Sequence, residues 1–149
     1  MADLVTTISE SVTLNGALRG STNSVTITGI TDAFERIVTC PNSATTTVAT
    51  FSTNVYDSAG AIDTQNVRYV RVTNLSDSID LEVGVGGAAS SYTTLLKPGT
   101  SHILARTDDS MLAVASTTPT YGSLADVSKI ECRPSTSTDV DVEIFVASV

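Results

Sequence analysis

Apolar side chains in this chain recur at every second residue, in short runs broken by Gly, Pro, Asn and Asp. A period of two is that of a strand with one buried face. Leu4, Thr6, Ile8, Glu10, Val12 and Leu14 share one side of an N-terminal strand, followed by Asn15-Gly16, a dipeptide suited to a tight hairpin turn. Ser21 to Asn23 reads as a loop, and Val25, Ile27 and Ile30 as a short strand interrupted by Gly29. Phe34 to Cys40 is a strand stopped by Pro41, which cannot donate to a ladder. Val48 to Phe51 is a shorter strand, and Asp57 to Gly60 a turn-rich loop. Val67 to Thr73 is the strongest candidate for a central strand, and Asn74 to Asp77 turns the chain.

Ile79, Leu81, Val83 and Val85 then alternate with Asp80, Glu82 and Gly84. Lys97-Pro98-Gly99-Thr100 has the composition of a type II turn. His102 to Ala105 and Met111 to Ala115 read as strands either side of Asp108-Asp109, with a loop from Pro119 to Ser123. Val127 to Cys132, ended by Pro134, and Asp139 to Ala147 complete the set. The last run places Val140, Val142, Ile144 and Val146 on one face. The one window compatible with a helical turn is Ser123 to Ser128. Nine or ten short strands without intervening helices predict an all-β chain. The expected architecture is a jelly-roll-like antiparallel β-sandwich formed by residues 1–149 as one domain.

Composition narrows the function. Ser and Thr make up 43 of the 149 residues, while charged residues are only 16% of the chain, so the surface is hydroxyl-rich and chemically quiet. A net charge of −8 with scattered basic residues argues against nucleic acid and against an anionic membrane as partners. No targeting segment and no membrane-spanning run is expected. Cys40 and Cys132 are expected to be reduced and at least half-buried, one bridge between them being the alternative.

Chemistry-bearing constellations are sparse. His102 is the only His and lies in no catalytic motif, so a strand-edge or interface role is expected and the chain is read as non-enzymatic. Gly84, Gly86 and Gly87 lack the Lys and the helix that phosphate binding requires, and read as a loop or bulge. Asp139, Asp141 and Glu143 share a face of the last strand and are weak candidates for Ca²⁺. Their separation of roughly 7 Å per step demands further oxygens from elsewhere, and a solvated face is the main expectation. No resident metal or other cofactor is expected. Tyr56, Tyr92 and Tyr121 fall in or near loops and are, with Leu4, Thr6 and Ile8 of the first strand, the candidate contacts with a partner.

Leu14 to Ile30 followed by Arg36-Ile-Val-Thr-Cys-Pro41 resembles small virion structural proteins of tailed bacteriophages, the marine cyanophage type in particular. Tyr69-Val-Arg-Val-Thr-Asn-Leu75, Leu81-Glu-Val-Gly-Val-Gly86 and Leu96-Lys-Pro-Gly-Thr-Ser-His-Ile-Leu104 are similar to β-sandwich modules on phage heads and tails. The resemblance implies a capsid decoration or cement protein, made in the host cytoplasm and placed on the virion surface. Its implied partners are the major capsid protein and copies of itself, and it carries over no catalytic residues. A neck, tail or fibre-attachment component and a receptor- or glycan-binding module are the alternatives. A hydrolase with an unrecognised site is a weaker third.

Overall fold

A computed structural model describes residues 1–88, 91–108, 111–112 and 123–149. The chain opens with β1 (Ala2–Ser9), β2 (Val12–Leu14), β3 (Ala17–Arg19) and β4 (Thr22–Ile30). There follow β5 (Asp32–Cys40), β6 (Thr46–Ser52), a 3-10 turn (Val55–Asp57), β7 (Ile62–Asp63), β8 (Val67–Asn74), β9 (Leu81–Gly87) and β10 (Ser91–Leu96). The rest is β11 (Ser101–Leu104), β12 (Met111–Leu112), β13 (Leu124–Ala125), β14 (Val127–Pro134) and β15 (Val140–Ser148). The number exceeds the expected nine or ten because an N-terminal arm supplies four strands and β7, β12 and β13 are two-residue pieces.

Eight strands build the body as a sandwich. One sheet has the order β11-β8-β15-β5 and the other β10-β9-β14-β6, with β7 added in parallel at its edge. Successive wall strands cross repeatedly between the two sheets, and their order in each sheet is that of a jelly roll. The alternation foreseen in β15 explains its central place. Val140, Val142, Ile144 and Val146 are all at most 2% exposed. They meet Val70 and Val72 of β8 from the side and Leu81, Val83, Val85 and Ile130 from the opposite sheet. Burying such side chains stabilises the fold by about 1.5–3 kcal/mol each.

Both cysteines belong to this core. Cys40 ends β5 and Cys132 lies on β14, so they meet from opposite sheets; both are free and buried. A hydrogen bond with Cys40, then burial, holds the Cys132 thiol well above the usual thiol range. Because both side chains are shielded from solvent, a thiol-specific aromatic disulfide is expected to titrate neither cysteine in the native protein and both in denaturant. Rapid labelling without denaturant would show that the sandwich opens at this end.

Several local expectations require correction. Thr22 and Asn23, read as loop, are paired in β4 with Ser9 and Ile8. Ser91 to Leu96 forms β10, an edge strand with only Leu96 buried, which leaves little apolar signal. Ser123 to Ser128 contains no helical turn, since β13 and the start of β14 occupy it. Gly84 and Gly86 lie inside β9 rather than in a loop, and Gly87 ends it, while the bulge alternative has a counterpart in the register shift of β14 opposite Gly86 and Gly87. Of the strand expected from Met111 to Ala115 only β12 falls within the described residues, and the loop from Pro119 to Gly122 lies outside them.

Candidate functional site

The first 30 residues form a two-stranded β-arm rather than part of the sandwich. β1 pairs antiparallel with β4, and β2 with β3, and neither ladder joins another sheet. The tip is the foreseen hairpin turn, with Asn15 at φ 51° and Gly16 at φ 78°. The single strand expected from Leu4 to Leu14 is broken near Glu10 and Ser11. There Gly20 has φ 127°, and a Cβ on it would lie 2.0 Å from the Glu10 carbonyl oxygen. At the root, register slips between Ala2 and Leu4, where Thr28 and Gly29 stand opposite Asp3. Gly29, at φ 81°, marks a bulge there.

The arm has two unlike faces. Thr7 and Ser24 Oγ atoms are 2.9 Å apart, as are those of Ser9 and Thr22, giving one face a hydroxyl ladder. The other carries Leu4, Thr6 and Ile8 opposite Ile27, Val25 and Asn23. Only its root is covered: Leu4, Ile27 and Ile30 pack on Tyr69, Phe145 and Ala147, on the outer face of the four-stranded sheet. Tyr69 and Phe145 meet edge to face at 6.1 Å. Leu4 and Thr6 are thus half-buried against the chain's own body, and of the three candidates on β1 only Ile8, at 50%, is exposed. Beyond the root, Val12, Leu14, Leu18 and Val25 are each at least 57% exposed, as is Val5 on the hydroxyl face. An exposed apolar series on a ribbon with two open edges is unusual for a free surface.

Between β1 and the sheet beneath it runs a groove of about 320 Å³, lined by residues 4–7 of the arm and by Glu35, Tyr69, Arg71 and Phe145. Arg71 is held there by a two-pronged contact with Glu143, at 3.0 and 3.1 Å, and by Thr73 Oγ1 at 2.8 Å. Sequence reasoning missed these body residues. They alternate with core residues on β5, β8 and β15, but nothing local shows that the arm lies above them. β4 was legible in part, because Thr22, Ser24, Thr26 and Thr28 alternate with Asn23, Val25 and Ile27.

The other candidates are scattered. Tyr56 is almost fully exposed on the 3-10 turn. Tyr92 lies on β10 instead of a loop, its hydroxyl 2.9 Å from His102 Nε2 on β11, so the pair ties together the edges of the two sheets. Tyr121 lies outside the described residues.

The three acidic residues of the last strand do not converge. Asp139 accepts from the backbone and side chain of Asn42, Asp141 from Thr39 Oγ1 at 2.6 Å, and Glu143 from Arg71. Among the described residues no group of three His, Cys, Asp or Glu side chains is placed to hold a metal ion. Each of the three carboxylates, Asp139, Asp141 and Glu143, is engaged with a protein donor.

Burial lowers the pKa of His102 and raises that of Tyr92. A His favoured neutral in the fold binds fewer protons than in the unfolded chain. Its contribution to stability is complete above about pH 6.5 and is lost as pH falls from there through the lowered native value. NMR titration of His102 is expected to give a midpoint below that of a free histidine, and His102→Gln to flatten the acid side of the stability profile. An unshifted midpoint would show that water reaches the ring.

The outer face of the five-stranded sheet holds a second depression of about 420 Å³. Its floor is made by Gly84 and Gly86 and its sides include Ser91, Thr93, Lys129 and Glu131. Lys129 and Glu131 are ion-paired at 2.8 Å, and a Cβ at Gly86 would touch the Lys129 stem. Its surface is polar and shallow, and no aromatic side chain lines it among the described residues. No family model, no curated protein and no solved structure matches this chain.

Proposed function

We propose that this chain is a non-enzymatic structural protein of a tailed-phage virion, decorating or cementing the outer capsid by binding across neighbouring capsid subunits. The observation that carries this reading is the β-arm: a ribbon with open edges and an exposed apolar series, rooted on a jelly-roll body. Strand addition to a capsid subunit would satisfy the open edges, and many modest contacts repeated over a lattice would supply the affinity. Jelly rolls recur in viral capsids, which agrees with the reading at the level of analogy. A body whose polar groups are largely paired with one another suits a role that adds buried interface and performs no reaction.

Quantitative mass spectrometry of purified virions tests it. A copy number comparable to the major capsid protein is expected; a handful of copies would move the protein to the neck, tail or a vertex, and absence would remove it from the particle. Deleting residues 1–10 is expected to abolish particle binding, and unchanged binding would sink the role of the arm. The polar depression over Gly84 and Gly86 favours a second reading, a glycan-binding module, since jelly rolls also occur in lectins. Retention on a glycan array that is lost in Gly86→Val would favour that reading.

A further inference from the structure

We propose that the arm also joins copies of this chain to one another, the unpaired Arg19 near the tip of one arm seating on the acidic root of the next. This extends the reading above to the protein's own assembly, but its test needs no particle.

The charges point to it. Five of the eight cations are held in ion pairs: Arg71 with Glu143, Lys97 with Asp80, Arg106 with Asp108, Lys129 with Glu131 and Arg133 with Glu82. Arg36 lies 5.8 Å from the centre of the Phe34 ring, and Arg68 donates to the carbonyls of Gln65 and Val67. Arg19, on β3 at the arm's tip, is the one cation without a partner among the described residues.

The root is its complement. Glu35 lines the groove beneath β1, and Asp3 and Asp32 lie where the arm leaves the sandwich. None of these three carboxylates has a partner among the described residues. Two other carboxylates are unpartnered among the described residues: Glu10, at the bend of the arm near Arg19, and Asp77, in the turn after β8 at the far end of that strand from the Tyr69 root contact. One chain therefore carries both halves of a charge contact, separated by the length of its own arm. Self-complementary surfaces of this kind generate symmetric oligomers.

Shape and net charge agree. Arg19 is about eight residues beyond the root contact at Ile27, or roughly 25 Å along a strand. A second arm lying antiparallel along the open edge of β1 would span that distance and bring its own tip to this root. It would pair the free backbone groups of β1 and lie beside the exposed Ile8. Residues 2–31 carry only Asp3, Glu10 and Arg19, a net charge of −1, so two arms of a −8 chain repel each other only weakly.

Sedimentation velocity on the full chain, at low and high salt, is the test. Oligomers are expected at micromolar concentration, with affinity falling at high salt as exposed charges are screened. Arg19→Glu is expected to weaken association by about tenfold or more, and Glu35→Arg in that background to restore it. Circular dichroism of each variant checks that the exposed substitutions leave the fold unchanged. A monomer at all concentrations would overturn the proposal, as would an oligomer indifferent to Arg19→Glu and to salt. Either result would leave the capsid reading standing, because virion copy number is measured independently.

Discussion

Replacing Asn74 by alanine is expected to destabilise the protein by about 3 kcal/mol. Asn74 is fully buried at the end of β8 and uses every polar group it has. Its side-chain nitrogen donates to the Ile79 carbonyl at 2.8 Å and to that of Leu96 at 3.1 Å, and its side-chain oxygen accepts from Ser76 N–H. Its backbone N–H donates to Thr100, and its carbonyl accepts from Gly99. One residue thus ties the end of one sheet to the approach to β9, to the end of β10 and to the turn before β11. Alanine would keep the backbone bonds and strand the side-chain partners, some of them where water cannot replace the amide. Urea unfolding should show a lowered midpoint with an unchanged slope. A loss below about 1 kcal/mol would mean that this end of the sandwich is wetter than the packing indicates.

A still larger effect is expected at Ile144, where alanine should cost about 4 kcal/mol. Ile144 is fully buried in β15, which pairs with β5 on one side and β8 on the other. The surrounding strands are fixed on both flanks, so the site cannot collapse and a cavity remains. The matched control is Ile8→Ala on the arm. It deletes the same atoms from a side chain that is half exposed, and should change stability by about 0.5 kcal/mol or less. The contrast separates apolar residues that hold the body together from apolar residues that the fold leaves uncovered. Similar costs at both positions would show that the arm is part of the core, and would remove the basis for reading it as a contact element.

Those two positions also mark how the body and the arm divide the work. The sandwich buries its apolar faces against each other and pairs several of its carboxylates internally, as Glu143 is paired with Arg71. The arm buries only its root and leaves Val12, Leu14 and Leu18 to solvent. A two-stranded ribbon is marginal in water by itself. Its order here rests on the bulge at Gly29, the bend at Gly20 and the hydroxyl ladder, and a partner along an open edge would add to it.

Much of the fold was legible because it is locally encoded. Alternation in β15 identifies which side chains enter the core, whatever sheet they join. Asn15-Gly16 forms its turn, and Gly99 at φ 70° with the Thr100-to-Lys97 hydrogen bond forms the other, because each depends on a few adjacent dihedrals. Pro41 stops β5 for an equally local reason. Where local signals were weak the reading failed. β10 is an exposed edge strand, and the hydroxyl-rich start of β4 looks like a loop until its pairing with β1 is known.

What only the tertiary structure decided is which distant residues meet. Asp139 binds Asn42 across 97 positions, Glu143 clasps Arg71 across 72, and Tyr92 reaches His102 from the other sheet. The jelly-roll strand order, the meeting of Cys40 with Cys132, and the placing of Glu35 beneath the arm are of the same kind. A period of two tells a residue which face it lies on but not which strand stands beside it. That choice is made by the packing of the whole core, so the chain alone specified the strands and their buried faces, and folding specified the groove, the arm's root and the lone cation at its tip.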